Sequence, residues 1–542
     1  MAATTNCTSE VSLSCLSSGP VDSCGDECTP WLRSAWWASC STSLFLIGVY
    51  VTVIVGATLC SRRRHRVSFV AQLLSLDRSW AELVSPRGDG SLHCLDATRV
   101  LTMHWLFLNH LSSEGRVDAL TRGPTLAPYT EHIRSHWFWS PVFGNSALGV
   151  DVFLLLGGFL AARSWALESH RLRRRGVRVW DTARFLGRAA RSAVKRWLRL
   201  APSLAVFIWL ITSCLGHVLL PRFFRPMLGG CGRFGVLSHL LFVYNLTTTP
   251  TCLTWLWYLS LDFQLFLLSL PLRFFLFDRS RPGLAAWTTA GLVLASTLLR
   301  GVCCLLLGTC DQGDVFIPLI HFDGPVDQAL RSLHRRVWLL YSSPLSKAGP
   351  YLVGMLLAYL LHEPPPKSSE KSEDPQPVKV EPEQSPVHLR AYILYPASIL
   401  SGLAIVFAIF GILPVYQGQA TATSPYAAVY FATFRNVMVL GVAWFLSLLL
   451  RTGGQRSSFL HRPLWAPLAR ATYWVFLGHM LCVFLFNYWQ AFQAPDVSFY
   501  FLLACVAPLS LAAYSLAIAA FLFIESPLGR LGSDLMASWS DD

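Results

Sequence analysis

Leu95-Asp-Ala-Thr-Arg99-Val-Leu-Thr-Met-His-Trp-Leu-Phe-Leu-Asn-His110 is the stretch on which the reading of this chain turns. It is apolar enough to enter a bilayer, yet it carries Arg99 and His110 with ten residues between them. Eleven steps of about 100° make three turns plus about 20°, so both side chains share one helix face. At about 1.5 Å per residue they stand about 16 Å apart along the axis, half of a hydrocarbon core. Ionisable groups inside a membrane are costly and face a polar interior. A fixed cation near one surface and a titratable base near mid-membrane, on one stripe, suit a catalyst that works across a bilayer.

The rest of the chain agrees with a membrane setting. Of 542 residues, 53% are hydrophobic and only 14% charged, where a soluble domain carries about 25% charged residues. The net charge of +13 does not indicate nucleic acid, because the basic residues gather in short segments between apolar runs, as cytoplasmic loops do. The fold class expected is an all-α polytopic membrane protein of about eleven transmembrane helices. The expected spans are residues 35–60, 95–111, 144–165, 200–220, 255–277, 283–307, 349–361, 391–413, 427–450, 471–489 and 497–523. The first span is followed at once by Ser61-Arg-Arg-Arg-His-Arg66, which puts the N-terminus on the luminal or extracellular side. An odd number of spans then puts the C-terminus in the cytoplasm. Residues 168–199 hold eleven Lys or Arg against two acids and read as cytoplasmic. The domains expected are a Cys-containing luminal tail (1–34), the first span (35–60), a cytoplasmic linker (61–94), a membrane domain (95–530) and a cytoplasmic tail (531–542). Within the membrane domain, the Pro-, Lys-, Glu- and Ser-rich residues 363–390 read as a disordered cytoplasmic loop. No cleavable leader is expected, since Arg33 is the only basic residue of the first 34.

Cys7, Cys15, Cys24 and Cys28 fall in the outer tail, and Cys231 and Cys252 share one expected outer loop, where oxidising conditions favour pairing. Cys231–Cys252 is the pairing expected, with Cys310 as a competing outer cysteine. Asn6 and Asn245 stand in glycosylation sequons on expected outer segments.

Three further groups bear on chemistry. Asp151 and Asp262 each enter about seven residues into their spans from the luminal side, and His479 lies in the luminal half of the tenth. With His110 they make two imidazoles and two carboxylates at one expected level. His110 is the expected general base, and a carboxylate would orient it as in triad logic. The competing reading pairs the acids with Arg163, Arg300 or Arg435 as structural ion pairs. At the mouth of the fourth span, Arg196 and Arg199 are three apart, hence neighbours on a helix, and suit a phosphate clamp or plain anchoring to anionic lipid. No metal-ligand spacing is present.

These residues resemble the acyltransferase 3 family. The Arg99-x10-His110 pattern resembles its signature. Gly149-Val-Asp151-Val-Phe-Leu-Leu-Leu-Gly-Gly158-Phe resembles its Gly-Val-Asp-Leu-Phe-Phe-x-Leu-Ser-Gly-Phe run, with Gly157 in place of the Ser. Arg196-Trp-Leu-Arg199-Leu-Ala-Pro202 resembles its Arg-x-x-Arg entrance. Trp257-Tyr-Leu-Ser-Leu-Asp262-Phe-Gln264, Lys347-Ala-Gly-Pro350, Leu477-Gly-His479 and Glu525-Ser-Pro527 are similar to motifs of the nose-resistant-to-fluoxetine subgroup. The resemblance runs in family order over most of the chain. It implies transfer of an acyl group from acyl-CoA, as co-substrate, to a hydroxyl-bearing lipid or small-molecule acceptor. Arg99 and His110 would be the key pair, with Asp151, Asp262 and His479 around them and Arg196, Arg199 and Lys347 toward the donor. No bound cofactor, metal or nucleic acid is expected, and the membrane is that of the endoplasmic reticulum or cell surface. The competing function is a lipid or drug carrier without chemistry, since intramembrane charges also line transport paths.

Overall fold

A computed structural model describes residues 29–63, 69–86, 92–112, 136–213, 216, 231–246, 252–278, 282–307, 338–362, 387–421, 424–451, 459–488 and 499–538. Regular structure among them is helical throughout. The long elements are α1 (Thr29–Arg63), α2 (His93–Ser112), α3 (Leu148–Arg174), α4 (Thr182–Thr212), α5 (Trp257–Leu268), α6 (Leu270–Phe277), α7 (Pro282–Leu307), α8 (Pro344–Leu360), α9 (Val387–Phe410), α10 (Pro425–Arg451), α11 (Trp465–Tyr488), α12 (Phe499–Ala520) and α13 (Ser526–Ser538). Among the described residues, six helical stretches are long and apolar enough to cross a membrane, and α5 with α6 makes a seventh if the bent pair is one span. Each of the eleven segments expected to span carries a helix. The tail cysteines, Asn6, Cys310 and most of the 363–390 loop lie outside the described residues.

Three boundaries differ from the sequence expectation, each for a local reason. The basic run before the fourth span is helical. α4 begins at Thr182, where the Asp181 carboxylate accepts from the Ala183 amide. Lys and Arg are good helix formers, and Arg188 anchors the run. Its guanidinium is buried, donates to Asp278 and Ser169, and lies 4.1 Å from the Trp165 ring centroid. The fifth span is broken. Pro271 cannot donate to the preceding turn, and the helix bends by 42° between α5 and α6. The carbonyl of Phe266 beside the break accepts from Ser269 Oγ (2.8 Å) and Arg273 Nη2 (2.6 Å). The last span runs on through a π-helical turn, Phe521–Glu525, into α13. There Arg530 binds the Leu73 carbonyl, Ser79 and Glu82, tying the linker helices Phe69–Leu73 and Leu76–Val84 to the chain's end.

α3 and α8 approach each other most closely. A Cβ on Gly158 would lie 2.0 Å from the Tyr351 carbonyl oxygen, and one on Gly354 would lie 2.0 Å from that of Leu155. Only glycine permits that backbone contact. It sets Asp151 of α3 against Lys347 of α8. α2 packs on α3, α11 and α12, so Arg99 and His110 face the interior of the bundle.

Candidate active site

His110 is half-buried near the end of α2, and its ring centroid lies 4.9 Å from that of His479 on α11. His479 is fully buried against Phe107 and Phe476. Its Nδ1–H donates to the Phe476 carbonyl at 2.6 Å. A carbonyl can only accept, so a neutral His479 carries its free lone pair on Nε2, which has no hydrogen-bond partner among the described residues. The two imidazoles expected at one level are therefore brought together.

The carboxylates are not brought to them. A Cβ on Gly149 would lie 3.2 Å from Thr102 Cγ2, and Thr102 precedes His110 by eight residues, about 12 Å of helix. Asp151, two residues further into α3, therefore sits level with the middle of α2 rather than with His110. Both its oxygens are taken: Lys347 Nζ donates at 2.8 Å, and Arg435 Nη1 lies 3.3 Å from Oδ1 and 3.2 Å from Oδ2. The side chains of all three are at most 3% exposed. Asp262 is bound to Arg196. The expectation that a carboxylate orients His110 gives way to ion pairing, because three cations lie closer to the acids. Lys347 is likewise withdrawn from the donor site, since its ammonium is spent on Asp151.

A second polar centre lies deeper, toward the basic end of the bundle. Arg196 and Arg273 both lie over the Phe266 ring, at 4.4 and 4.3 Å. Tyr258, Tyr351 and Asp262 are within electrostatic reach of Arg196, and Arg99 is within reach of Tyr258 and Tyr514. The Nε atoms of Arg196 and Arg273 are buried without hydrogen-bond partners among the described residues. Arg199, by contrast, is exposed and reaches Glu525 and Tyr473, so the two arginines expected to form one clamp are divided between two acids. Arg273 was missed by the sequence reading. Its signal was available, as a cation inside the apolar run of the fifth span.

Cys231 and Cys252 are joined by a disulfide. It closes a segment that folds back against α5. Asn245 is buried at 3% exposure, and its amide donates to Gln264 Oε1 and the Ser342 carbonyl. Gln264 returns a bond to Asn245 Oδ1 at 2.7 Å. A glycan needs that amide nitrogen in open water, so Asn245 is corrected from glycosylation candidate to structural link. His239 stacks on Tyr244 and bonds to the Cys252 carbonyl, and burial pushes its imidazole down to about 4. Among the described residues, no group of three or more His, Cys, Asp or Glu is placed to hold a metal.

A model of the Acyltransferase domain of the acyltransferase 3 type matches residues 92–520. The chain is 32% identical to Regulator of hypoxia-inducible factor 1 from Caenorhabditis elegans over 506 residues, 92% of either chain. It is 22% identical to Nose resistant to fluoxetine protein 6 from the same organism over 472 residues. That match covers 84% of this chain and 53% of the relative, so this chain spans about half of that protein's length. No solved structure matches significantly.

Proposed function

This chain belongs to the acyltransferase 3 family, and we propose that it is an integral membrane O-acyltransferase using acyl-CoA. The observation that carries the reading is the imidazole pair. His110 is accessible enough to meet a substrate, and His479 lies behind it with its tautomer set by a backbone carbonyl. In this mechanism His110 takes the proton of an acceptor hydroxyl, and the oxygen attacks the thioester carbonyl carbon. The C–S bond breaks, the ester forms, and His110 returns the proton to the departing CoA sulfur. His479 is a positioning residue that holds His110 by ring packing and offers Nε2 as an acceptor. Arg99 stands on the same face as His110 but about 16 Å along the helix from it, where a cation draws the anionic donor toward the imidazole rather than touching the reacting carbonyl.

With the basic end of the bundle in the cytosol, the donor enters between α4, α5 and α6. Arg273 meets its phosphates as a guanidinium preset on an aromatic face, Arg196 stands over the same ring with one nitrogen held by Asp262 and its Nε unfilled, and Arg199 lies at the mouth. The acceptor approaches from the opposite side, toward His110. The test is release of free CoA by purified protein given acyl-CoA and a hydroxyl-bearing lipid extract. Wild-type protein is expected to turn over. His110→Ala is expected to lose activity by about 10² or more with unchanged expression and elution profile. Wild-type-like turnover in that variant, or substrate flux across vesicles without CoA release, rejects the proposal.

A further inference from the structure

Arg300 on α7 is 2% exposed, and none of its three guanidinium nitrogens has a hydrogen-bond partner among the described residues. Its guanidinium carbon lies 4.9 Å from the Phe434 ring centroid, and that of Arg435 lies 5.4 Å from the same ring. Arg435 Nε also has no hydrogen-bond partner among the described residues. Lys347 and Arg435 already share the one carboxylate of this region, Asp151, and both also lie over Tyr341, at 4.8 and 5.3 Å. Three cations thus stand against one acid among the described side chains, an excess of two positive charges. Arginine does not give up its proton in proteins. An unpaired buried charge costs several kcal/mol in a low-dielectric interior. A folded chain that keeps this arrangement has a counter-charge from elsewhere.

The surroundings limit its size. One turn before Arg300, Thr297 Oγ1 accepts from Asn436 Nδ2, and a Cβ on Gly349 would come within 2.1 Å of Asn436 Oδ1. Helices packed that closely, around an arginine 2% exposed, leave no opening for a lipid headgroup or a nucleotide phosphate. The geometry points to a binding site for one small inorganic anion of the chloride class, held by the guanidinium of Arg300 in the seam of α7, α8 and α10. The site lies apart from the imidazole pair and does not depend on the acyl-transfer reading.

The test is thermal unfolding of the purified protein while chloride replaces gluconate at constant ionic strength, with binding of radiolabelled chloride measured in parallel. A stabilisation that saturates with chloride, is reproduced by bromide and not by phosphate, and accompanies about one chloride per chain supports the site. Arg300→Met removes the unpaired charge and is expected to unfold at a temperature independent of chloride. Three results overturn the proposal. The first is an unfolding temperature in wild-type protein that does not respond to the anion. The second is an unchanged chloride response in Arg300→Met. The third is no bound chloride on wild-type protein, which assigns the counter-charge to an acid of the chain itself. If Arg300→Met does not fold, the binding measurement on wild-type protein decides.

Discussion

Replacing Asp151 by Asn keeps the shape of the side chain and removes the one carboxylate, among the described residues, bound to Lys347 and Arg435. Both cations are then left in an interior where their side chains are 0% and 3% exposed. Removing one partner from a buried ion pair costs about 3–5 kcal/mol, mostly because the remaining charge is uncompensated. Here two charges are stranded, so Asp151→Asn should reach the upper part of that range. That lowers the folded-to-unfolded ratio by several-thousand-fold or so. Lys347→Met is a milder change. It removes one cation and leaves Arg435 on Asp151, so the loss is about 1.5–3 kcal/mol for a charged hydrogen bond, less whatever the methionine regains by packing. The asymmetry is what the geometry requires, because the acid serves two cations and each cation serves one acid. In the double variant Lys347→Met relieves one of the two charges that Asp151→Asn strands, so the double variant should be more stable than Asp151→Asn alone. The assay is thermal unfolding in detergent, followed by tryptophan fluorescence and by the monodisperse fraction on size exclusion. An Asp151→Asn protein as stable as wild type would refute the reasoning. So would a double variant whose loss equals the sum of the two single losses, because the three side chains would then be acting independently.

Two further outcomes follow from the same geometry. Arg273→Met should raise the KM for acyl-CoA about 10-fold or more, the worth of one charge-assisted hydrogen bond, with a smaller change in kcat. A short acyl-pantetheine donor lacking the nucleotide phosphates should show no such change, and an equal loss with both donors would place Arg273 outside the donor site. His239 lies between the spans, and burial holds its imidazole at about 4 against 6.5 unfolded. Between those values the unfolded chain binds the extra proton, so the stability this residue contributes is complete above about pH 6.5 and is lost as pH falls toward 4. The full effect is on the order of 3 kcal/mol. His239→Gln keeps a donor for the Cys252 carbonyl and should flatten that decline in unfolding temperature between pH 7 and 4.5. A decline as steep as in wild type would show that other groups cause it.

The helices were legible because a membrane span is a local property. About twenty apolar residues declare themselves without reference to the rest of the chain, and every expected span carries a helix. The boundaries that moved did so where a few residues act against composition. Asp181 caps a basic run into a helix, and Pro271 breaks an apolar one. The imidazole pair was legible in part, because His110 and His479 sit at matching depths of their own spans. The choice of partner for each acid was not, because it is made across the chain: Asp151 lies 196 residues from Lys347 and 284 from Arg435, and Asp262 lies 66 from Arg196. Sequence marks each of these as an ionisable group in an apolar run. It does not say which helices become neighbours, and in a low-dielectric interior the nearest cation captures the acid. Two kinds of polar residue follow from this. Groups whose partners are already inside the fold, such as Asp151 with Lys347 and Arg435, hold the helices in register. Groups left with unfilled donors or acceptors among the described residues, such as His479 Nε2 and the Arg273 Nε, are where a substrate has something to gain by binding. By that criterion the proposed chemistry runs between Arg273 and His479 with its neighbour His110, while Asp151 and Asp262, each bound to a cation, hold its frame.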